Sequence, residues 1–241
     1  MIESMIFDQS EYNVRCEWGV QGVAMLAPIS DVVIIVDILS FSTAVEIAAN
    51  QSAVVFPYRW KDETAYEFAK SVDAEVAYKG NLNNYSLSPA SLVNLPSGIR
   101  LVLPSPNGST LSLLAGSTPT IAGCLRNCQA VAESAMKIGR NIAVIPAGER
   151  WEDGTLRPCL EDFVGAGALI SYLRGTLSPE AMAAVSVFGN ASENLLEKLK
   201  ACSSGKEKIS RNEEHDTKLA AELNISKCVP ILRNGAFSRE A

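Results

Sequence analysis

Apolar residues gather along the chain in short, β-branched runs, separated by stretches in which apolar positions recur every three or four residues. Short apolar runs bounded by turn residues read as buried strands, and the periodic stretches between them as helices. On this pattern strands are expected at residues 13–18, 31–36, 53–58, 75–79, 99–103, 120–123, 141–145, 184–188 and 228–232. Helices are expected at 44–50, 61–71, 111–116, from 124 to about 137, up to about 174, and at 194–201 and 216–224, with a short helix or turn before Pro28. The run Asp31-Val-Val-Ile-Ile-Val is the most apolar of the short segments and predicts a central strand buried on both faces. Residues 80–89 are polar and turn-rich and read as a loop over a cleft. Residues 202–215 read as charged and exposed, and the residues after 232 as a polar tail. Alternation of strand and helix predicts an α/β chain with a mostly parallel or mixed sheet covered on both faces, a three-layer α/β/α architecture. It is expected to be a single domain, or two closely packed subdomains.

A parallel sheet sends its strand-to-helix loops to one edge, where ligands bind. The chemically rich segments of this chain each follow an expected strand. Asp37 leaves the 31–36 run and is followed by Ser40, Ser42 and Thr43 at a helix start. Asn107, Gly108, Ser109 and Thr110 follow the 99–103 run, and Arg126 and Asn127 follow 120–123. After 141–145 the chain carries Glu149, Arg150, Arg157, Glu161 and Asp162 and then the small-residue segment Gly165-Ala166-Gly167-Ala168. Each segment has a plainer reading. Asp, Ser and Thr cap helices, acids favour a helix start, and a proline-punctuated turn needs no ligand. Their repetition at the same kind of position favours a shared site. Asp37, Glu149, Glu161 and Asp162 are then the candidate catalytic acids, with Asp37, Glu149 and Glu161 also candidate metal ligands. Adjacent helical residues point about 100° apart, so one of Glu161 and Asp162 is expected to face the site and the other to cap the helix. Ser40, Ser42, Thr43, the 107–110 loop, Arg126, Arg150 and Arg157 are the candidate contacts to an anionic substrate.

Composition narrows the class. The chain has 241 residues, 47% of them hydrophobic, and a net charge of −6. An acidic chain without a basic stripe is a poor nucleic-acid binder, and no apolar run reaches membrane-spanning length. A cytoplasmic protein is expected, acting without nucleic acid or membrane. Six scattered cysteines form no CxxC pair, and the one histidine, His215, lies in a polar run, so neither a zinc site nor a histidine-based triad is expected.

The set VVIIVDILSFSTA, SPNGST, CLRNCQAVA, PAGERWEDGTLRPCLEDFVGAGALI and HDTKLAAELNISKCVPIL, in this order over most of the chain, resembles the 2-phosphosulfolactate phosphatase family. The resemblance implies a Mg²⁺-dependent phosphatase converting 2-phospho-3-sulfolactate to 3-sulfolactate and phosphate, a step towards coenzyme M. We also expect a homodimer. Two departures accompany it. Ser40 stands where the family commonly has Arg, and residues 79–91 keep little of its pattern beyond Gly80, Ser88 and Pro89. A second reading is a family member that binds a small anionic metabolite without turnover.

Overall fold

The computed structural model describes residues 7–78 and 83–240. Its elements are β1 (Val14–Cys16), α1 (Gly19–Leu26), β2 (Val32–Val36), α2 (Phe41–Asn50), β3 (Val54–Tyr58), α3 (Thr64–Ser71), β4 (Glu75–Val76), β5 (Arg100–Pro104), α4 (Gly108–Leu114), β6 (Thr120–Gly123), α5 (Cys128–Ile138), β7 (Ile142–Pro146), β8 (Glu149–Arg150), β9 (Leu156–Arg157), α6 (Leu160–Ile170), α7 (Pro179–Ala191), α8 (Leu195–Ala201), α9 (Ser203–Ser210), α10 (Glu214–Ala220), β10 (Pro230–Arg233) and β11 (Ala236–Arg239). Among the described residues, one nine-stranded sheet runs β1-β7-β2-β6-β10-β11-β3-β5-β4, and β8 and β9 form a separate small hairpin. The expectation for residues 79–82, Gly80 among them, lies outside the described residues.

The unbroken apolar run at β2 lies between β7 and β6 and is buried on both faces. Val32, Ile34 and Val36 join a core with α5, α6 and α7, while Val33 and Ile35 pack with Val23 and Leu26 of α1 and Leu111 of α4. Opposite faces of one strand thus serve two cores, which gives the three-layer α/β/α arrangement. In α6 the small residues let helices approach closely. A Cβ on Gly165 would lie 2.5 Å from Ile38 Cδ1, and one on Gly167 would lie 2.0 Å from the Ala184 carbonyl oxygen of α7.

The structure departs from the sequence expectation at four points. First, the sheet has two parallel blocks, β1-β7-β2-β6 and β3-β5-β4, joined through three antiparallel pairings by the β10–β11 hairpin. The second block runs against the first, so the strand-to-helix loops do not all leave one edge. They still meet: Gly108 N, after β5, donates to Asp37 Oδ2, after β2, at 3.1 Å. Twist of roughly 20–25° per strand turns the second block by on the order of 100–125° over the steps from β2 to β5, and α4 packs against both β2 and β3.

Second, residues 184–188 are helical, inside α7. Pro179 opens that helix, and the Ser178 hydroxyl caps it by accepting from Ala181 N at 3.1 Å. A short apolar run does not by itself separate a buried strand from a buried helix, and the Ser-Pro start decides it. Third, the chain after 232 is no tail. Asn234 and Gly235, both at positive φ, turn β10 into β11, the usual chemistry of a two-residue hairpin. Fourth, residues 202–215 contain α9, whose Ser204 and Gly205 are buried.

Phe237 of β11 is fully buried and meets Phe41 of α2 edge-on, with ring centroids 6.1 Å apart. Phe237→Ala is therefore expected to lower the unfolding free energy by about 3–5 kcal/mol, measurable by urea denaturation. A loss below about 1 kcal/mol would mean that this hairpin does not carry the middle of the sheet.

Candidate active site

Asp37 is buried at the end of β2, where the chain turns into α2. Its Oδ1 accepts from Phe41 N and its Oδ2 from Gly108 N, each at 3.1 Å. One carboxylate thus takes main-chain donors from the starts of two helices. The Ser42 hydroxyl bridges the same turn, accepting from Asp37 N and donating to the Ile35 carbonyl. Ser42, Thr43 and Ser109 are fully buried, and their hydroxyls donate to the carbonyls of Ile35, Ile38 and Leu103. They shape the loops, and Gly108 N is committed to Asp37, so these groups do not offer the free anion cradle expected of them.

Asp162, in the first turn of α6, is committed in the same way. Its Oδ1 accepts from Ile38 N and its Oδ2 from Gly148 N, both at 2.8 Å. Gly148 suits this approach because it sits at φ +67, and a Cβ there would lie 2.7 Å from Leu156 Cδ1. Its neighbour Glu161 is equally buried, and among the described residues it accepts from no main-chain N–H. Glu149 on β8 is partly exposed, and its Oε1 accepts from Asn107 Nδ2 at 2.7 Å and from Arg150 N at 2.9 Å.

These side chains surround a small cavity of about 50 Å³. Asp37, Ser40, Asn107, Glu149, Glu161 and Asp162 all line it, so six candidates drawn from four separated segments share one site. Both members of the 161–162 pair reach it, whereas only one was expected to. Ser40 Oγ is buried there and has no hydrogen-bond partner among the described residues. Burial first, then the charges of Glu149 and Glu161, push the Asp37 carboxyl up to about 6, against the pull of Phe41 N and Gly108 N. Burial, then Asp37 and Glu161, push the Asp162 carboxyl well above the usual range. Clustered acids that resist losing their protons also attract a cation.

Other candidates lie elsewhere. Arg126 pairs with Glu46 at 2.6 Å and with Glu222, in an ion pair away from the acids. Its place in the sequence, after β6, did not reveal that α2 supplies a buried carboxylate. Thr110 and Arg150 line a larger neighbouring cavity. Arg157 lies over the Trp151 ring and donates to the Ser204 hydroxyl at 3.5 Å, at the rim of the small cavity. Lys61, Ser105, Leu87 and Ser204 line the small cavity and were not foreseen. Lys61 carries the one positive charge among the described lining residues. No sequence signal marked it, since it follows β3 in an exposed polar turn. Ser204 falls in the segment read as exposed.

A family profile described as 2-phosphosulpholactate phosphatase matches residues 23–235. The chain belongs to this family. It is 31% identical over 228 residues to a protein named probable 2-phosphosulfolactate phosphatase in Thermotoga petrophila, covering 88% of this chain and 96% of that one. The Thermotoga maritima protein of the same name gives the same figures. The 2-phosphosulfolactate phosphatase of Methanothermobacter thermautotrophicus is 26% identical over 213 residues, covering 86% of this chain and 88% of that one. Every segment that places an acid on the small cavity lies inside the matched range.

Asp162→Asn would put an amide NH₂ against one of the two N–H groups that the carboxylate now accepts. We expect a loss of about 1–3 kcal/mol in unfolding free energy by urea denaturation. Unchanged stability would show that Ile38 N and Gly148 N are satisfied without Asp162.

Proposed function

We propose that this family member hydrolyses a small phosphorylated hydroxy acid, releasing phosphate, with 2-phospho-3-sulfolactate as the substrate its relatives' names point to. The observation that carries this reading is the small cavity itself, ringed by buried acids, holding an unpartnered hydroxyl, and bordered by one lysine. A phosphoryl group needs a counter-cation in such a place. Among the described residues no three of the Asp, Glu, His and Cys side chains form a ready metal cage. Mg²⁺ does not require one, since it usually keeps several waters and takes only one or two carboxylates. An all-oxygen donor set under mutual repulsion, with the orphan Ser40 hydroxyl beside it, fits that ion. In this reading Glu161 and Glu149 hold the cation, because Glu161 has no main-chain duty and Glu149 lines the same cavity. Mg²⁺ bound there would draw charge from the phosphoryl oxygens and offset the charge that develops on them.

The chain's own residues supply the rest. Lys61 meets the phosphoryl oxygens from the cavity's mouth, replacing from another element the cation that the family places at position 40. The Ser40 hydroxyl donates to the substrate. Asp37 is held rigidly by Phe41 N and Gly108 N and has a proton affinity raised towards neutrality, so it suits the role of base. It takes the proton of a water that attacks phosphorus, while the bond from phosphorus to the hydroxy-acid oxygen breaks and that oxygen is protonated from solvent.

Phosphate release from 2-phospho-3-sulfolactate with Mg²⁺ present tests the reading. Asp37→Asn is expected to lower kcat by roughly 10²–10⁴-fold while Mg²⁺ affinity, followed by titration calorimetry, stays the same. Glu161→Gln is expected to raise the Mg²⁺ concentration needed for half-maximal rate. Full Mg²⁺-dependent turnover in folded Asp37→Asn would remove Asp37 from the chemistry. Phosphate binding with no turnover in the unaltered protein would instead favour the binding-only reading.

A further inference from the structure

A second cavity of about 500 Å³ adjoins the acid-lined one and shares Pro106, Asn107 and Glu149 with it. The Asn107–Glu149 hydrogen bond of 2.7 Å stands between the two. The larger space lies between α1, the start of α4 and the β8–β9 hairpin, and its walls include Trp18, Val20, Leu111 and Leu156. Trp18 is fixed from behind by Phe163 of α6, with ring centroids 5.3 Å apart. The two spaces differ tenfold in volume and sharply in character. The small one, at about 50 Å³, has room for little more than a phosphoryl group. The three-carbon acid named for the relatives is charged at every end and would leave most of the apolar wall uncovered.

We propose that the large cavity takes the organic body of the substrate, and that this chain prefers phosphate monoesters carrying an apolar, ring-sized group. The phosphoryl group occupies the acid cavity, the Asn107–Glu149 pair marks the ester linkage, and the apolar body lies against Trp18 and Leu156. Arg150, also on the lining, is then a contact to the body of the substrate and not to its phosphate. This proposal rests on the phosphatase reading for its chemistry, but the cavity's preference can be measured without turnover.

The test is calorimetric titration of the Mg²⁺-supplemented full chain with two non-hydrolysable probes, methylphosphonate and benzylphosphonate. Benzylphosphonate is expected to bind at least tenfold more tightly, because the probes differ chiefly in apolar area removed from water. Val20→Trp narrows the large cavity from α1, an element that contributes no residue to the lining of the small one. It is expected to abolish that difference while leaving methylphosphonate affinity unchanged. Equal affinities in the unaltered protein, or a tenfold difference that Val20→Trp leaves intact, would overturn the proposal. A benzylphosphonate preference in a protein that releases no phosphate from any ester would keep the cavity assignment and remove the phosphatase reading. Turnover of 2-phospho-3-sulfolactate with no benzylphosphonate preference would do the reverse.

Discussion

The site depends on the carboxylate of Asp162, which accepts from Ile38 N with one oxygen and from Gly148 N with the other. Three elements meet there: the exit from β2, the exit from β7 and the first turn of α6. The bridge adds a side-chain tie to the main-chain bond from Ala147 N to the Val36 carbonyl, holding the loop carrying Asp37 to the strand carrying Glu149. With it, Glu161 next door is held at the cavity while its own carboxylate stays clear of main-chain donors. A buried acid with two such bonds, each 2.8 Å long, is a strong local constraint, because short hydrogen bonds are directional. The small residues of α6 complete the arrangement by letting Ile38 and α7 come within contact of the helix.

The same arrangement is costly. Asp37, Glu161 and Asp162 are all buried, and burial and mutual repulsion raise the proton affinities of the two aspartates. Main-chain N–H groups at the starts of α2 and α4 offset part of that cost, as helix N-termini do for anions. What remains is a crowding of acids around a small space, two of them holding their protons more tightly than usual, with Lys61 at its edge. Perturbed acids gathered in a cleft are common at functional sites, and here a cation together with a phosphoryl group would relieve the repulsion. Arg126 shows the contrasting case. Its charge is matched by Glu46 and Glu222, and it does not line the acid cavity.

The middle of the sheet sets where these loops can meet. The β10–β11 hairpin stands between the two parallel blocks and reverses their relative direction, and the sheet's twist returns the β5 exit to the β2 exit. Phe237, close to the chain's end, fills the core beneath α2. The C-terminal strands thereby support the turn that carries Asp37, although they contribute no side chain to the acid cavity.

Hydrophobic patterning alone determined most of the strands, the buried character of β2 and the three-layer architecture, because these follow from local periodicity and unbroken β-branched runs. Chemistry at strand exits also marked Asp37, Ser40, Asn107, Glu149, Glu161 and Asp162, the residues that come together. Tertiary structure decided what the local pattern leaves open. Whether residues 184–188 were strand or helix turned on a Ser-Pro start and on packing against α6. The Asn234–Gly235 turn carried a hairpin signal, but its insertion between β6 and β3 is a matter of long-range pairing. The tasks of individual polar groups were equally invisible along the chain. A hydroxyl such as Ser42 and a hydroxyl such as Ser40 look alike in sequence, yet one meets a carbonyl and the other meets no partner among the described residues. Which of them is left for a ligand depends on the partners that the fold supplies.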